Sequence, residues 1–353
     1  MLKKNYWFVL LLLAALSYWL QSCSTDVELT APYKVTPVIV GVLDPSVDTQ
    51  FVRINRTFLA PDNVQAFAQI RDSVEYPPEI VEAWLYKYMN TNLVDSIQLE
   101  SIVIPSRDPG VFFDTDIRYY YTDQPLFTSG ELNNLQNAEY EIRVSIDGEV
   151  YTARTDFPEL RLINLSFPAS AVNNLGWVVQ GVPQAIRFEY TLASTGRYQG
   201  DLIMHYDEEF QDGTIVPNRT FAYAMGVLDS EGVTAPNQNF STNSQNWFNS
   251  VGNRLPRPDG LLRIRIDRIE YRLTATNRDL NAYINASRPQ STIVPLFSTF
   301  TNFDKGAIGI LGAKNSVHRS VSLNLPTLNY FNDGEATSDI SFCVNWSSIY
   351  TCN

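Results

Sequence analysis

The sequence predicts a mainly β protein, built as a β-sandwich over residues 35–160 and a second β-rich domain over 161–353 that carries one short helix. Short runs rich in Val, Ile, Tyr and Phe recur from Val35 onward, cut by Pro, Gly, Asn and Asp, which is the punctuation of sandwiches rather than of helical layers. Inside those runs apolar and polar residues alternate with period two, as half-buried strands require. One stretch, YEIRVSIDGEVYTART over 140–155, also sets its own register. Its Asp147-Gly148 pair suits a type I′ turn, in which both positions take positive φ. Val144 then faces Tyr151, Ile142 faces Ala153 and Tyr140 faces Thr155 on an apolar side, while Arg143 meets Thr152 and Glu141 meets Arg154 on a polar one.

The chain opens differently. Lys3 and Lys4 precede an apolar run from Trp7 to Leu16, the order of a secretory signal and too short to span a bilayer comfortably. Leu20-Gln21-Ser22-Cys23 resembles the lipobox of bacterial lipoproteins, whose cysteine is acylated and becomes the first mature residue. On this reading 1–22 is a signal peptide, Cys23 is the lipidation site, and 23–34 is an acylated tether. Each buried methylene contributes about 0.8 kcal/mol, so several chains hold a protein stably at a membrane without crossing it. Ser24 after the cysteine is similar to outer-membrane rather than inner-membrane sorting, and Asp26 and Glu28 resemble the acidic surface-export tags of Bacteroidota. The expected location is the outer membrane, lipid-anchored and facing the exterior.

Further strands are expected at 35–43, 50–58, 80–88 and 93–98, with the 140–155 hairpin completing the first sandwich. PELRLINLSFPAS, 158–170, marks the crossing into the second domain. There Phe188, Tyr190 and Leu192 alternate, Ser194-Thr195-Gly196 turns, and a strand from Tyr198 to Tyr206 returns. Leu262, Ile264 and Ile266 hold even positions, whereas Ile269, Tyr271 and Leu273 hold odd ones. A period of two slips phase only through an inserted residue, which predicts a β-bulge near Asp267 and Arg268. NQNFSTNSQNWFNSVGN, 237–253, is polar and turn-rich and reads as a long loop, with Trp247 and Phe248 tucked under it or offered to a partner. The one helix starts at Thr276 and Asp279, a capping-box-like pair, and puts Leu280, Tyr283 and Ile284 on one face before Pro289.

Charge narrows the partners. Losing 1–22 removes two lysines from the 26 basic residues and none of the 38 acids, leaving a formal charge of about −14 that repels nucleic acid and anionic lipid. Arg263, Arg265 and Arg268 read as the polar face of a strand. Cys343 and Cys352 close a short loop in the last eleven residues, and in an exported chain such a pair reads as a disulfide. With only His205 and His318, no Cys/His set of zinc-site spacing exists. Asp207, Glu208, Glu209 and Asp212 could gather a hard cation, although their spacing is not that of an EF-hand and a solvated hairpin end explains them as well.

No nucleophile elbow, HExxH helix or placed cysteine nucleophile occurs, so the reading is of a non-enzyme without cofactors. GAIGILGAK lacks the Gly-Lys-Ser/Thr of a phosphate loop and suits a strand whose glycines permit close backbone packing. Paired acids of a glycosidase cannot be placed from one sequence. Aromatics remain: RYYYTDQPLF, 118–127, concentrates Tyr119, Tyr120 and Tyr121, and tyrosine suits recognition surfaces because its ring gives area while its hydroxyl stays wet. Core packing could use the same rings. Asp72-Ser73-Val74 and Asp95-Ser96-Ile97 resemble the short O-glycosylation sequon of Bacteroidota.

LTATNRDLNAYINASRPQSTIVPLFSTFTNFDKGAIGILGAKNS, 273–316, brings a strand, a short helix with a tyrosine, a small polar loop and TNFDKGAIGILGA. Together with PVIVGVLDP and FVRINRTF near the start, it resembles the domain-of-unknown-function 4249 family of Bacteroidota outer-membrane lipoproteins, at Asn302, Gly306, Gly309 and Gly312. The resemblance implies an immunoglobulin-like N-terminal β-sandwich, a second β-rich domain, and association with TonB-dependent transporters, other outer-membrane β-barrels and associated lipoproteins. It implies no catalytic residue. Two functions are therefore expected: an accessory or scaffold subunit of an outer-membrane β-barrel complex, or a glycan-binding surface lipoprotein of a nutrient-uptake system that uses Tyr119 to Tyr121, Trp247 or Phe248.

Overall fold

The computed structural model describes residues 34–59, 63–105, 116–167, 174–288, 300–346 and 349–352. Cys23 and the signal segment lie outside them. Strands make up 53% and helices 17%, so the chain is mainly β. The first sandwich uses β1 (Pro37–Leu43), β2 (Gln50–Arg56), β3 (Val81–Met89), β4 (Asn92–Ile104), β5 (Ile117–Thr122), β6 (Ala138–Ile146) and β7 (Glu149–Asp156). Two short helices, α1 (Val64–Ala68) and α2 (Arg71–Val74), follow β2. The second part contains β8 (Leu160–Phe167), the short β9 (Asn174–Leu175), β10 (Val178–Val179) and β11 (Val182–Pro183), then β12 (Ala185–Leu192), β13 (Arg197–Phe210), β14 (Ile215–Asp229) and β15 (Asn237–Asn243). Helix α3 (Ser244–Arg254), β16 (Leu261–Thr276), α4 (Arg278–Ala286), β17 (Ile308–Leu323), α5 (Leu325–Asp333), β18 (Phe342–Trp346) and β19 (Ile349–Cys352) complete it.

In the first sandwich one sheet runs β17-β1-β2-β5-β4 and the other β4-β3-β6-β7. Strand β4 belongs to both, because its first half pairs with β3 and its second half with β5. Ile39, Leu43, Val52 and Ile54 from one sheet meet Leu85, Tyr140, Ile142 and Val144 from the other in one core. The β6–β7 hairpin has the register its turn dictates: Val144 opposite Tyr151, Ile142 opposite Ala153, Glu141 opposite Arg154. Both turn residues take positive φ, 50° at Asp147 and 82° at Gly148.

In the second part, β14-β13-β16-β17 forms the larger sheet. A three-stranded sheet, β15-β12-β8, and helices α3 and α5 pack their apolar residues into the same core. The phase slip is real: His205 faces Arg268 while Tyr206 faces Ile266, so Asp267 is the inserted residue. Ile264, Ile266, Ile269, Tyr271 and Leu273 all reach the core as a result. A second shift leaves Leu262 between Arg263 and Leu261 without a partner on β13, and that leucine is exposed.

Several expectations are corrected. The 237–253 stretch is not a loop but β15 and α3. Strands β12 and β13 do not form a hairpin; the Ser194-Thr195-Gly196 corner carries the chain from the smaller sheet into the larger one. His318 lies within β17 opposite Arg272. The single helix is joined by α3, α5 and the two short ones. Its N-cap is Asn277, one residue later than Thr276, and the Asn277 side chain accepts from the Leu280 amide at 3.1 Å. Asn63, Asn243 and Asn324 cap α1, α3 and α5 in the same way, the position where a short acceptor satisfies an orphan helix N–H.

Strand β17 ties the two cores together. Its first half, from Ile308 to Ala313, runs parallel to β1, and its second half runs antiparallel to β16. A strand late in the sequence thus completes the first sandwich. The approach to β1 is close enough that a Cβ on Gly309, whose φ is +127°, would lie 1.9 Å from the Ile39 carbonyl oxygen; only glycine fits there. Asn302 braces the same junction, accepting from the Leu311 amide and donating to the carbonyls of Leu311 and Arg154. Asn302 and Gly309, two positions behind the family resemblance, are therefore structural pins.

Candidate binding face

The outer face of the β17-β1-β2-β5-β4 sheet gathers the most suggestive side chains. Strand β2 alternates strictly: Val52 and Ile54 enter the core, and Phe51, Arg53 and Asn55 point away from it. On β5 the parity sends Tyr120 inward and Tyr119 and Tyr121 outward. Phe51 sits opposite Tyr121 in the ladder. Its ring stacks on that of Tyr121 at 6.2 Å and meets the edge of Tyr119 at 5.8 Å. Phe51 is 40% exposed, so the three rings form an aromatic row on a rigid sheet rather than on a loop.

The structure divides the residues singled out in the sequence. Tyr119 and Tyr121 join this row. Tyr120 does not, being 2% exposed in the first core, with burial raising its phenol to about 12 and no hydrogen-bond partner for its hydroxyl. Trp247 and Phe248 are 0% exposed and cannot serve as a sugar or partner platform. They lie on the buried side of α3, where Trp247 packs against Trp177 at 5.0 Å and Phe331 at 5.4 Å. Phe51 and Arg53 were missed by sequence reasoning. The available signal was a phenylalanine on the polar parity of the alternating stretch FVRINR.

Farther along the same face lies a cavity of about 460 Å³, between β1–β2 and the α1–α2 pair. Val38, Phe58, Val64, Ala68 and Val74 give it apolar walls, and Arg53, Asn55, Arg56 and Glu75 supply its polar points. The Glu75 carboxylate is buried and shared, at 2.9 Å from Arg71 and 3.8 Å from Arg118, and it also accepts from the Arg118 amide at 3.0 Å. Arg53 instead turns its guanidinium onto the neutral Asn55 side chain. Arg56 donates to the Asp72 carbonyl and lies over the Tyr76 ring at 5.7 Å.

The acidic run that could have gathered a cation is dispersed. Successive residues of β13 point to opposite faces, so Glu208 is buried beside Arg219 at 3.3 Å, whereas Glu209 pairs with Arg263 at 2.7 Å. Asp207 accepts from the Asn218 amide and Asp212 from that of Thr214. No group of three or more His, Cys, Asp or Glu side chains among the described residues is placed to hold a metal ion. His205 contacts Glu270 at 3.1 Å on the polar face of the larger sheet. Cys343 is disulfide-bonded, and the β18–β19 register puts Cys352 directly opposite it. No helix among the described residues is long and apolar enough to cross a membrane. Neither the protein-family models nor the curated proteins contain a match to this chain.

Proposed function

We propose that this chain is an outer-membrane lipoprotein, anchored through acyl chains on Cys23 and facing the cell exterior, that serves as a non-catalytic accessory or scaffold subunit of an outer-membrane β-barrel complex, either a TonB-dependent transporter or a barrel-assembly or export machine. The observation that carries the binding role is the outward-facing row of an exposed Phe51 and the half-buried Tyr119 and Tyr121 on a rigid sheet face. Aromatic residues are enriched where interfaces form, because a ring gives contact area while a tyrosine hydroxyl stays wet. The lipobox-like LQSC and the resemblance to outer-membrane lipoproteins support the location and the kind of partner.

Affinity purification of the full chain from detergent-solubilised membranes tests this. A barrel protein should co-purify, and the Phe51→Ser/Tyr121→Ser double substitution should lower its recovery at least tenfold. A monodisperse, partner-free protein would count against the assignment. The two outward tyrosines beside Phe51 also favour a second reading, a glycan-binding surface lipoprotein, since flat rings on one face suit stacking on sugars. Glycan-array binding abolished by Tyr119→Ala and Tyr121→Ala would favour that reading over the first.

A further inference from the structure

We infer that the cavity between β1–β2 and α1–α2 is a binding site for a single-chain apolar carboxylic acid, with Arg53 receiving the carboxylate and the hydrocarbon filling the space lined by Val38, Val64, Ala68 and Val74. Size comes first: about 460 Å³ falls within the range of roughly 300–1,000 Å³ typical of small-molecule sites. Chemistry comes second. Such sites combine apolar walls with a few polar groups that fix orientation, and here the polar groups are unequal. The one acid lining the cavity, Glu75, is already held by Arg71 and Arg118. Among the described residues, Arg53 and Arg56 line it with no carboxylate at ion-pair distance; their partners are an amide, a carbonyl and a ring.

The site therefore offers positive charge beside a hydrocarbon surface, in a chain whose 38 acids outnumber its 26 basic residues. A guanidinium presents a planar fork that matches a carboxylate with two parallel hydrogen bonds, and it does so best where water is displaced. Val64, one of its apolar walls, is 60% exposed, so the hydrocarbon surface continues from the cavity out to solvent. An uncharged head group would leave the Arg53 charge without a counter-ion, and a cationic head would meet two arginines. This site lies beyond the aromatic row and does not depend on what docks there.

The test uses the full chain in phospholipid nanodiscs and a dodecanoate carrying a diazirine near its methyl end, with cross-linked peptides mapped by mass spectrometry. Labelling should concentrate within residues 53–75. Unlabelled dodecanoate should compete at least tenfold better than 1-dodecanol or dodecyltrimethylammonium, and Arg53→Gln should reduce labelling at least tenfold. Ala68→Trp, which fills the cavity and leaves Arg53 in place, should also abolish labelling, and melting curves of both variants check that they fold. Labelling spread over other surfaces, equal competition by dodecanol, or full labelling of a folded Arg53→Gln protein would overturn the proposal.

Discussion

Replacing Asn277 by alanine should destabilise both sandwiches together. The side chain caps α4 through Oδ1, which accepts from the Leu280 amide at 3.1 Å and from the Ala313 amide at 3.4 Å. Its Nδ2 donates to the Thr155 hydroxyl at 2.8 Å and to the Asp156 carbonyl at 3.2 Å, both on β7. Asn277 and Thr155 are buried. Losing an N-cap costs about 1 kcal/mol, and leaving a buried polar group unsatisfied costs about 1–3 kcal/mol more. The expected loss is therefore about 2–4 kcal/mol, summed from those two effects. Urea unfolding followed by tryptophan fluorescence reads it in both cores, because Trp84 lies on β3 and Trp177 and Trp247 lie in the second core. A Trp84→Phe background separates the two signals, and both should shift to a lower midpoint. Asn277→Asp keeps the cap acceptor, removes the donors and adds a charge beside Asp156, so it should fare no better than alanine. A shift below about 0.5 kcal/mol, the level of an ordinary surface change, or full rescue by Asp, would mean that Asn277 does not tie the two parts together.

Three further outcomes follow from single contacts. Lys87, buried, donates to Glu131 at 2.8 Å and to the Leu126 carbonyl at 3.0 Å; the Lys87 hydrogen bond, followed by that from the Thr128 amide, pulls Glu131 from 4.5 down to about 2. A carboxyl depressed on folding contributes stability above its unfolded value and loses it as the pH falls toward the folded one. The gap in melting temperature between wild type and Glu131→Gln should thus be full at neutral pH, narrow below about 4.5 and close near 2. Tyr120→Phe removes a buried hydroxyl with no partner, so a melt should show it unchanged or stabilised by up to about 1 kcal/mol, and a clear loss would reveal a hydrogen bond there. Cys352→Ser should release one titratable thiol at Cys343 and, for a loop of roughly ten residues, cost on the order of 2–3 kcal/mol in the unfolding midpoint.

Where the sequence was legible, local chemistry decided the structure. Asp147-Gly148 dictates its turn and hence the whole β6–β7 register, and the parity change around Asp267 required a bulge because the buried apolar residues of β16 on either side of it face the same core. What was not legible depends on distant partners. Trp247, Phe248, Val251 and Leu255 recur at helical spacing and are buried on α3 and just beyond it, but Asn and Ser between them resemble a loop until the second core is there to receive the apolar side. The β12–β13 corner looks like a hairpin because neighbouring strands usually pair; which sheet each strand joins is settled by contacts far along the chain. The same limit applied to the binding face. Three consecutive tyrosines on β5 cannot all face one way, and choosing Tyr119 and Tyr121 over Tyr120 needed the identity of the buried side. The cavity is assembled from β1, β2, α1 and α2 and has no contiguous motif.

The assignment of place rests on Cys23, and the mass of the N-terminal peptide of protein taken from native membranes measures it directly. The mature chain should begin at Cys23, carry fatty acyl chains and be recovered with the outer membrane. An unmodified Cys23, or a protein released free into the medium, would contradict that assignment.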